Sequence, residues 1–190
     1  MTTFFFIRHG NAYDAKGEQT PTSHLNEEGK TQAEYLGKAL QGTSIDVILC
    51  SPYTRAQETC QIASSGCGVE CRTIEGLKEI GSNDWPAPTE LFVNEKVISE
   101  FKQSVEQVKN TYNKLVTDYH EKRVFVFTHG NWIRVLLSTI LNLDILALQH
   151  FHINFATVTT ITIDDQGGTY ISSVSADYAK IAKKLLEWLL

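Results

Sequence analysis

Three short apolar runs, at residues 4–7, 47–50 and 124–127, divide this sequence, and polar residues follow each run at once. Runs of this length and composition are typical of strands that are buried on both faces, as in a parallel sheet. The segments between the runs repeat apolar residues at helical spacing. The sequence therefore predicts strands that alternate with helices around one buried sheet.

Four helices are predicted between and after these runs. Asn26 can cap a first helix in which apolar positions recur up to Leu40, and Ser51, followed by a proline, is the expected cap of a second. A continuous apolar stripe predicts a long amphipathic helix over residues 94–120, and a shorter helix is predicted over residues 131–141. Each of these helices separates or follows predicted strands, as is usual in α/β proteins.

The C-terminal part of the chain has a different pattern. Residues 153–163 and 169–174 favour strands and flank a turn that contains aspartate and glycine, which predicts a hairpin. The amphipathic segment 176–190 is expected to pack on the sheet, and the proline-containing segment 81–88 is expected to be a surface loop. The predicted fold class is α/β: a three-layer α/β/α sandwich with a mostly parallel central sheet and an antiparallel edge hairpin, forming a single domain over residues 1–190.

Charge and hydropathy exclude two classes of partner. The 190 residues carry a net charge of -5 without a long run of like charges, so a nucleic-acid-binding face is not indicated. No apolar stretch approaches the ~20 residues that span a bilayer, and the N-terminal apolar run is too short for a secretory signal. We expect a cytoplasmic protein that binds neither nucleic acid nor membrane, and its oligomeric state stays open.

Metal ligation is not predicted. His150 and His152 would face the same side of an extended segment, but no carboxylate or thiolate partner for them is evident. The cysteines lack the close pairs of a zinc knuckle, and the chain is long enough to bury its own core. Free thiols are therefore expected at all four cysteines, which are Cys50, Cys60, Cys67 and Cys71.

Two of the predicted strands end in the same way. Residues 8–10 read Arg-His-Gly and residues 128–130 read Thr-His-Gly, each directly after an apolar run. Residues 51–55, Ser-Pro-Tyr-Thr-Arg, follow the third run and put an arginine in the first turn of the next helix. Because the carboxyl ends of parallel strands face one crevice, loops that are distant in sequence can meet there. We therefore expect one cluster of two cations and two imidazoles: Arg8, Arg55, His9 and His129.

Such a cluster suits a phosphate group and its transfer. Guanidinium groups match the geometry of phosphate oxygens, and the backbone N–H of Gly130, at a predicted helix start, can add a donor. A neutral histidine whose other nitrogen is held by a carbonyl can attack phosphorus. A carboxyl group is then needed to protonate the leaving oxygen. Glu79 and Glu75 both follow the strand-like segment 69–74, and spacing alone does not choose between them.

In this order, the motifs resemble the histidine phosphatase superfamily, the phosphoglycerate mutase-like group. The resemblance runs from Arg8 to about Leu141, which is most of the chain. Its five elements are residues 8–10, the segment 25–33 (Leu-Asn-Glu-Glu-Gly-Lys-Thr-Gln-Ala), Ser51-Pro52 with residues 55–59, Leu77-Lys78-Glu79 with Gly81 and Trp85, and residues 128–130.

The resemblance implies roles for individual residues and a reaction without metal. His9 is expected to be the phosphorylated nucleophile, and Glu79 the proton donor because it fits the Leu-x-Glu pattern of the family. Arg8, Arg55 and His129 are expected to form the phosphate pocket. The core enzymes of the family need no metal, so neither a metal nor a cofactor is expected.

One position departs from the family pattern. Ala15 stands six residues after His9, where many mutase-like members carry asparagine. One phosphate contact is therefore missing or is supplied from elsewhere in the loop that follows the first strand. The candidates for that contact are Asn11, Ser23 and Thr22.

The choice between hydrolysis and phosphoryl transfer depends on basic residues near the acid. Mutases of the family hold a substrate carboxylate with basic residues inserted after the acid, whereas residues 80–120 of this chain contain no arginine and carry their lysines on the predicted long helix. The predicted function is a histidine acid-type phosphatase, a metal-independent phosphomonoesterase that acts on a small phosphorylated metabolite through a phosphohistidine. Two alternatives stay open: phosphoglycerate mutase-type transfer, and a catalytically weak member that binds phosphorylated ligands or phosphoproteins.

Overall fold

The computed structural model describes residues 1–81 and 95–178 and contains one six-stranded sheet. The strands are β1 (Thr2–Arg8), β2 (Val47–Cys50), β3 (Cys71–Thr73), β4 (Arg123–Thr128), β5 (Val158–Ile163) and β6 (Thr169–Ala176). The α-helices within the described residues are α1 (Glu27–Leu40), α2 (Thr54–Ala63), α3 (Glu95–Asp118) and α4 (Gly130–Ile140), and short 3-10 helices occur at Glu75–Leu77 and Ile145–His150. Over these two ranges of the chain, no helix combines the length and apolar character that a membrane crossing needs.

The sheet is parallel except at one edge. Its strand order is β3-β2-β4-β1-β5-β6, in which β1, β2, β3 and β4 run parallel and β5 and β6 run antiparallel to their neighbours. The predicted mostly parallel sheet with an antiparallel edge hairpin is thus confirmed. Because β4 lies between β1 and β2, the three strands that precede the candidate motifs end side by side at one edge of the sheet.

Helices cover both faces of the sheet, because the side chains of a strand alternate between its two faces. On one face, Phe4 and Phe6 of β1 pack with apolar residues of α3 and α4. On the other face, Phe125 and Phe127 of β4 pack with apolar residues of α1 and α2. These two cores confirm the predicted three-layer arrangement. That all 190 residues form one domain stays a prediction.

The structure corrects two predicted boundaries. Helix α2 begins at Thr54 with Tyr53 at the capping position, and Ser51 does not cap it because the Ser51 hydroxyl contacts His129 instead. Strand β5 begins at Val158 rather than at residue 153. The intervening backbone turns inward, with Ala156 at a positive φ of 49° and its N–H donating to the carbonyls of Arg8 and His9.

Other boundaries agree with the predictions to within a few residues. The long helix spans Glu95–Asp118, and the shorter one spans Gly130–Ile140. Two predicted segments lie wholly or largely outside the described residues: the surface loop, except for Gly81, and most of the amphipathic tail after residue 178.

Candidate active site

His9 lies directly after β1 and is almost completely buried, with 1% of its surface exposed. Its Nδ1 is 2.7 Å from the Gly10 carbonyl oxygen, which can only accept, so Nδ1 carries the proton. The other nitrogen, Nε2, accepts a hydrogen bond of 3.0 Å from Arg55 Nε. The lone pair of His9 therefore lies on Nε2, next to a guanidinium group.

The surroundings of His9 favour its neutral form. Burial is the largest cause that lowers its pKa well below the ordinary value of 6.5, and the positive charges of Arg55 and Arg8 lower it further. A neutral imidazole keeps its lone pair at neutral pH, which a nucleophile requires.

His129 lies at the end of β4 and caps helix α4, with its ring centroid 5.1 Å from that of His9. Its Nε2 is 2.7 Å from the Ser51 hydroxyl, which also accepts a hydrogen bond from the Tyr53 N–H. Donation of the hydroxyl proton to Nε2 satisfies both contacts and leaves the proton of His129 on Nδ1. Among the described residues Nδ1 has no hydrogen-bond partner although it is buried, so it is free to donate to a ligand oxygen.

The guanidinium group of Arg8 is held between an aromatic ring and the start of helix α4. Its Nη1 donates to the Ile153 carbonyl at 2.5 Å, and its Cζ lies 3.8 Å from the centroid of the Phe155 ring. A Cβ at Gly130 would lie 3.2 Å from Arg8 Nε, so glycine there allows this close approach. Burial lowers the pKa of Arg8 to about 10, which leaves the group charged at neutral pH.

Arg55 reaches the site from the first turn of α2. It donates to His9 through Nε and to the Thr20 carbonyl through Nη1 at 2.7 Å. The helix is fastened to the loop after β1 by Thr59, whose hydroxyl donates to the Arg55 carbonyl and accepts from the Gly10 N–H at 3.0 Å. These bonds fix the position of the guanidinium group relative to His9.

Glu79 joins this cluster, and Glu75 does not. The Glu79 Oε1 atom accepts hydrogen bonds from the N–H groups of Ile80 and of Trp132 in the first turn of α4, at 3.1 and 3.2 Å. Burial raises the pKa of Glu79, and the charges of Arg55 and Arg8 and the two N–H groups oppose this shift. Glu75 is exposed and forms an ion pair with Lys78.

The loop residues predicted to replace a missing phosphate contact have partners within the loop. The Asn11 side chain donates to Glu28 at 2.8 Å and accepts from the Tyr13 N–H. The Ser23 hydroxyl accepts from the Thr20 N–H at 2.8 Å. Both side chains thus shape the loop whose Thr20 carbonyl holds Arg55, and direct contact with phosphate stays a prediction.

Sequence reasoning missed several residues that build this site. Phe155 lies against Arg8 and has its ring centroid 5.7 Å from that of His9, and Tyr53 has its centroid 5.1 Å from that of His129. No sequence signal pointed to Phe155, because the backbone bonds of Ala156 to β1 bring it to the site. Ser51 follows a strand directly, which is a signal for a site residue, but the proline after it predicts a helix cap instead.

The two histidines considered as metal ligands are exposed. Neither His150 nor His152 belongs to a group of three potential ligands within the part of the chain that the structure describes. The one such group found there contains Cys50, Cys60 and Cys71.

Acid is expected to destabilise the fold through the two buried imidazoles. Burial and nearby cations keep the pKa of His9 and of His129 below 6.5 in the folded chain, and unfolding restores the ordinary value. Below that pH the unfolded state binds more protons, so the free energy of unfolding falls as the pH falls. The slope is up to about 1.4 kcal/mol per pH unit for each ring until the folded pKa is reached.

Thermal unfolding followed from neutral to mildly acidic pH measures this slope. His129→Asn is expected to remove the contribution of one ring to the slope. His150→Asn, which replaces an exposed ring, is the matched control. A slope that is the same in wild type and in His129→Asn would contradict the assignment of His129 as a buried neutral group.

Comparison with known proteins places this site in a family. The profile of the histidine phosphatase superfamily (branch 1) matches residues 4–175. Among curated proteins, the mitochondrial serine/threonine-protein phosphatases Pgam5 of Drosophila mojavensis and Drosophila melanogaster are 26% and 27% identical over 174 residues. These matches cover 87% of this chain and 60% of each relative, so the chain spans well under the full length of these relatives.

Solved structures share the fold. Bacillus stearothermophilus YhfR superposes with a TM-score of 0.80 at 21% identity, covering 94% of this chain and 100% of that one. A mutant phosphoserine phosphatase from Entamoeba histolytica, in complex with phosphoserine, gives a TM-score of 0.77 at 21% identity and covers 94% and 99% of the two chains. The family match extends over most of the sequence and contains all five clustered residues, so the chain belongs to the histidine phosphatase superfamily (branch 1).

Proposed function

We propose that this protein is a metal-independent phosphomonoesterase that hydrolyses a small phosphorylated metabolite through a phosphohistidine intermediate. One observation carries the proposal: the lone pair of the buried, neutral His9 lies on Nε2, 3.0 Å from the Arg55 guanidinium group. A nucleophile next to a fixed cation is what attack on an anionic phosphate requires, because the cation offsets the repulsion between the phosphate and an incoming electron pair.

The first half of the reaction forms a bond between His9 Nε2 and phosphorus and breaks the bond to the leaving oxygen. Arg8, Arg55 and the Nδ1–H of His129 donate to the other phosphate oxygens, where negative charge is spread in the transition state. Glu79, whose pKa is raised by burial, gives its proton to the leaving oxygen. The products are the free alcohol and phosphorylated His9.

The second half returns the site to its starting state. The Glu79 carboxylate takes a proton from a water molecule, whose oxygen attacks phosphorus and breaks the bond to His9 Nε2. Inorganic phosphate is released, and both His9 and Glu79 regain their first protonation states. Charge neutralisation in both halves comes from two guanidinium groups and a histidine N–H, so the scheme needs no divalent cation.

Hydrolysis is favoured over transfer to a second substrate by the position of the basic residues after Glu79. The lysines at 96, 102, 109 and 114 are exposed on α3. The cations that contact residues of the site come from other elements: Arg55 donates to His9, and Arg8 lies against Phe155. The names of relatives agree with hydrolysis, since Pgam5 proteins are called serine/threonine-protein phosphatases and a structural neighbour is a phosphoserine phosphatase. Another neighbour is a phosphoglycerate mutase from Bacillus anthracis, which makes transfer the alternative to test.

The experiment is hydrolysis of p-nitrophenyl phosphate by the purified chain with and without excess chelator. We expect the same rate in both, and a rate that disappears with chelator would contradict the scheme. The same preparation is then incubated with 3-phosphoglycerate and the corresponding bisphosphate. Free phosphate is expected, and isomer formed faster than phosphate would make the protein a mutase. Tight binding of vanadate without turnover of any phosphomonoester would make it a phospho-ligand-binding member.

The cytoplasmic location stays a prediction. The curated relatives are named as mitochondrial proteins, and this location is a property of those proteins.

A further inference from the structure

Three cysteines from separate elements of the fold bring their sulfur atoms together. Cys50 ends β2, Cys60 lies on α2 and Cys71 begins β3, and their Sγ atoms all lie within 4.8 Å of one another. All three are free thiols in the structure. Cys60 and Cys71 are in contact, with their Sγ atoms 2.8 Å apart. This thiol cluster, defined as Cys50, Cys60 and Cys71, has no part in the proposed hydrolysis.

The three thiols differ in exposure and in hydrogen bonding. Cys50 and Cys60 are buried, whereas Cys71 is exposed on the edge strand of the sheet. Cys60 donates its thiol hydrogen to Cys71. The neighbouring Cys50 and Cys60 thiols hold the pKa of Cys71 below its ordinary value. An exposed sulfur that is stabilised as the thiolate and has a second thiol in contact is the arrangement found in cysteines that oxidise reversibly.

We propose that Cys71 and Cys60 form a reversible disulfide when the protein meets a hydroperoxide. The Cys71 thiolate attacks one oxygen of hydrogen peroxide, so that an S–O bond forms, the O–O bond breaks and hydroxide leaves. The Cys60 sulfur then attacks Cys71 as its thiol proton is lost, the S–S bond forms and the S–O bond breaks. The second hydroxide takes up the proton from Cys60, and the first takes up a proton from solvent in place of the one that Cys71 released on ionising. Overall, two thiols lose two electrons, and the peroxide is reduced to water.

The geometry favours this disulfide over a metal ion held by the three sulfurs. Two thiolates on one zinc ion lie about 3.8 Å apart, given the usual zinc–sulfur distance and a tetrahedral arrangement. Cys60 and Cys71 are closer than that, at 2.8 Å, and bond formation requires a further approach of less than about 1 Å. The disulfide joins the edge strand β3 to α2, the helix that carries Arg55.

The test uses the whole 190-residue chain, purified in reductant and then treated with hydrogen peroxide after the reductant is removed. We expect titratable thiols to fall from four to two, the intact mass to fall by about 2 Da, and a peptide linking Cys60 to Cys71 to appear after digestion. Dithiothreitol restores four thiols. Cys71→Ser abolishes the loss, whereas Cys67→Ser, the matched control at the cysteine outside the cluster, still forms the disulfide.

A second variant, Cys60→Ser, tests the proposal even if Cys71→Ser does not fold. In Cys60→Ser the resolving thiol is missing, so peroxide is expected to leave a sulfenic acid on Cys71 that dimedone traps. Three results would overturn the proposal: a linkage between two chains, a loss of thiols that Cys71→Ser does not prevent, or one equivalent of zinc that protects the thiols until a chelator removes it. Hydrolysis of p-nitrophenyl phosphate, followed in parallel, reports on the proposed function separately, because neither cysteine takes part in it.

Discussion

Replacing His9 with alanine is expected to lower the hydrolysis of p-nitrophenyl phosphate by at least about 10³-fold, because the substitution removes the nitrogen that carries the phosphoryl group. The remaining cations are expected to bind phosphate still, so the loss is expected in kcat rather than in KM. The measurement is the initial rate of nitrophenolate release. A second measurement uses substrate that is labelled in its phosphoryl group and a rapid quench without acid. The wild-type protein is expected to retain the label on histidine, and the His9→Ala protein is expected to retain none.

The matched control for this experiment is another histidine of the same part of the chain. His24 is exposed and pairs with Glu58 at 2.6 Å, and it lies outside the cluster around His9. His24→Ala is expected to keep the wild-type rate within about twofold, as is usual for surface substitutions. Full activity in a folded His9→Ala protein, or label trapped on a different residue, would show that the nucleophile has been assigned wrongly.

Replacing Glu79 with glutamine is expected to slow hydrolysis in proportion to how much the leaving group needs a proton. A serine or glycerol phosphate releases a poor leaving group, and its rate is expected to fall about 10²- to 10⁴-fold, the usual contribution of general acid catalysis. Release of p-nitrophenolate needs little protonation and is expected to fall much less. The measurement is kcat/KM for both classes of substrate with the same preparations of wild type and variant.

Glu75→Gln is the matched control, because Glu75 lies four residues earlier and pairs with Lys78 at the surface. It is expected to leave both substrates unaffected. Equal slowing of good and poor leaving groups in Glu79→Gln would mean that Glu79 positions the site without transferring a proton. A selective effect in Glu75→Gln would move the acid to that residue.

The pH profile follows from the same two groups. Attack needs neutral His9, whose pKa is lowered, and proton donation needs protonated Glu79, whose pKa is raised. Activity on poor leaving groups is therefore expected to fall on the acid side as His9 is protonated and on the alkaline side as Glu79 loses its proton. Because Glu79→Gln cannot ionise, its profile is expected to lack that alkaline decline.

Much of the fold could be predicted because local patterns carried the signal. Apolar runs at residues 4–7, 47–50 and 124–127 form three neighbouring strands of the sheet, as their length and lack of alternation indicated. Local patterns did not predict the contacts between residues that are distant in sequence. Ser51 illustrates this: a serine before a proline is a good helix cap, but the partner of this hydroxyl is His129, 78 residues away.

The thiol cluster is a second feature that local patterns do not predict. Cys50, Cys60 and Cys71 have spacings that match no metal or redox motif, and the sequence predicts a free thiol at each. Their sulfurs meet because the end of β2, one face of α2 and the start of β3 pack together. That contact cannot be predicted from the spacing of the cysteines along the chain.

By itself, the sequence indicated most of the strands and helices and the residue types that could carry phosphoryl chemistry, because both follow from side-chain type and near-neighbour spacing. It identified Arg8, His9, Arg55 and His129 as one group. Only the tertiary structure decided which nitrogen of each histidine carries the proton, and it brought Glu79, which the family pattern already favoured over Glu75, to the first turn of α4. These features depend on contacts of Gly10, Ser51 and Trp132, which the order of strands in the sheet brings into reach.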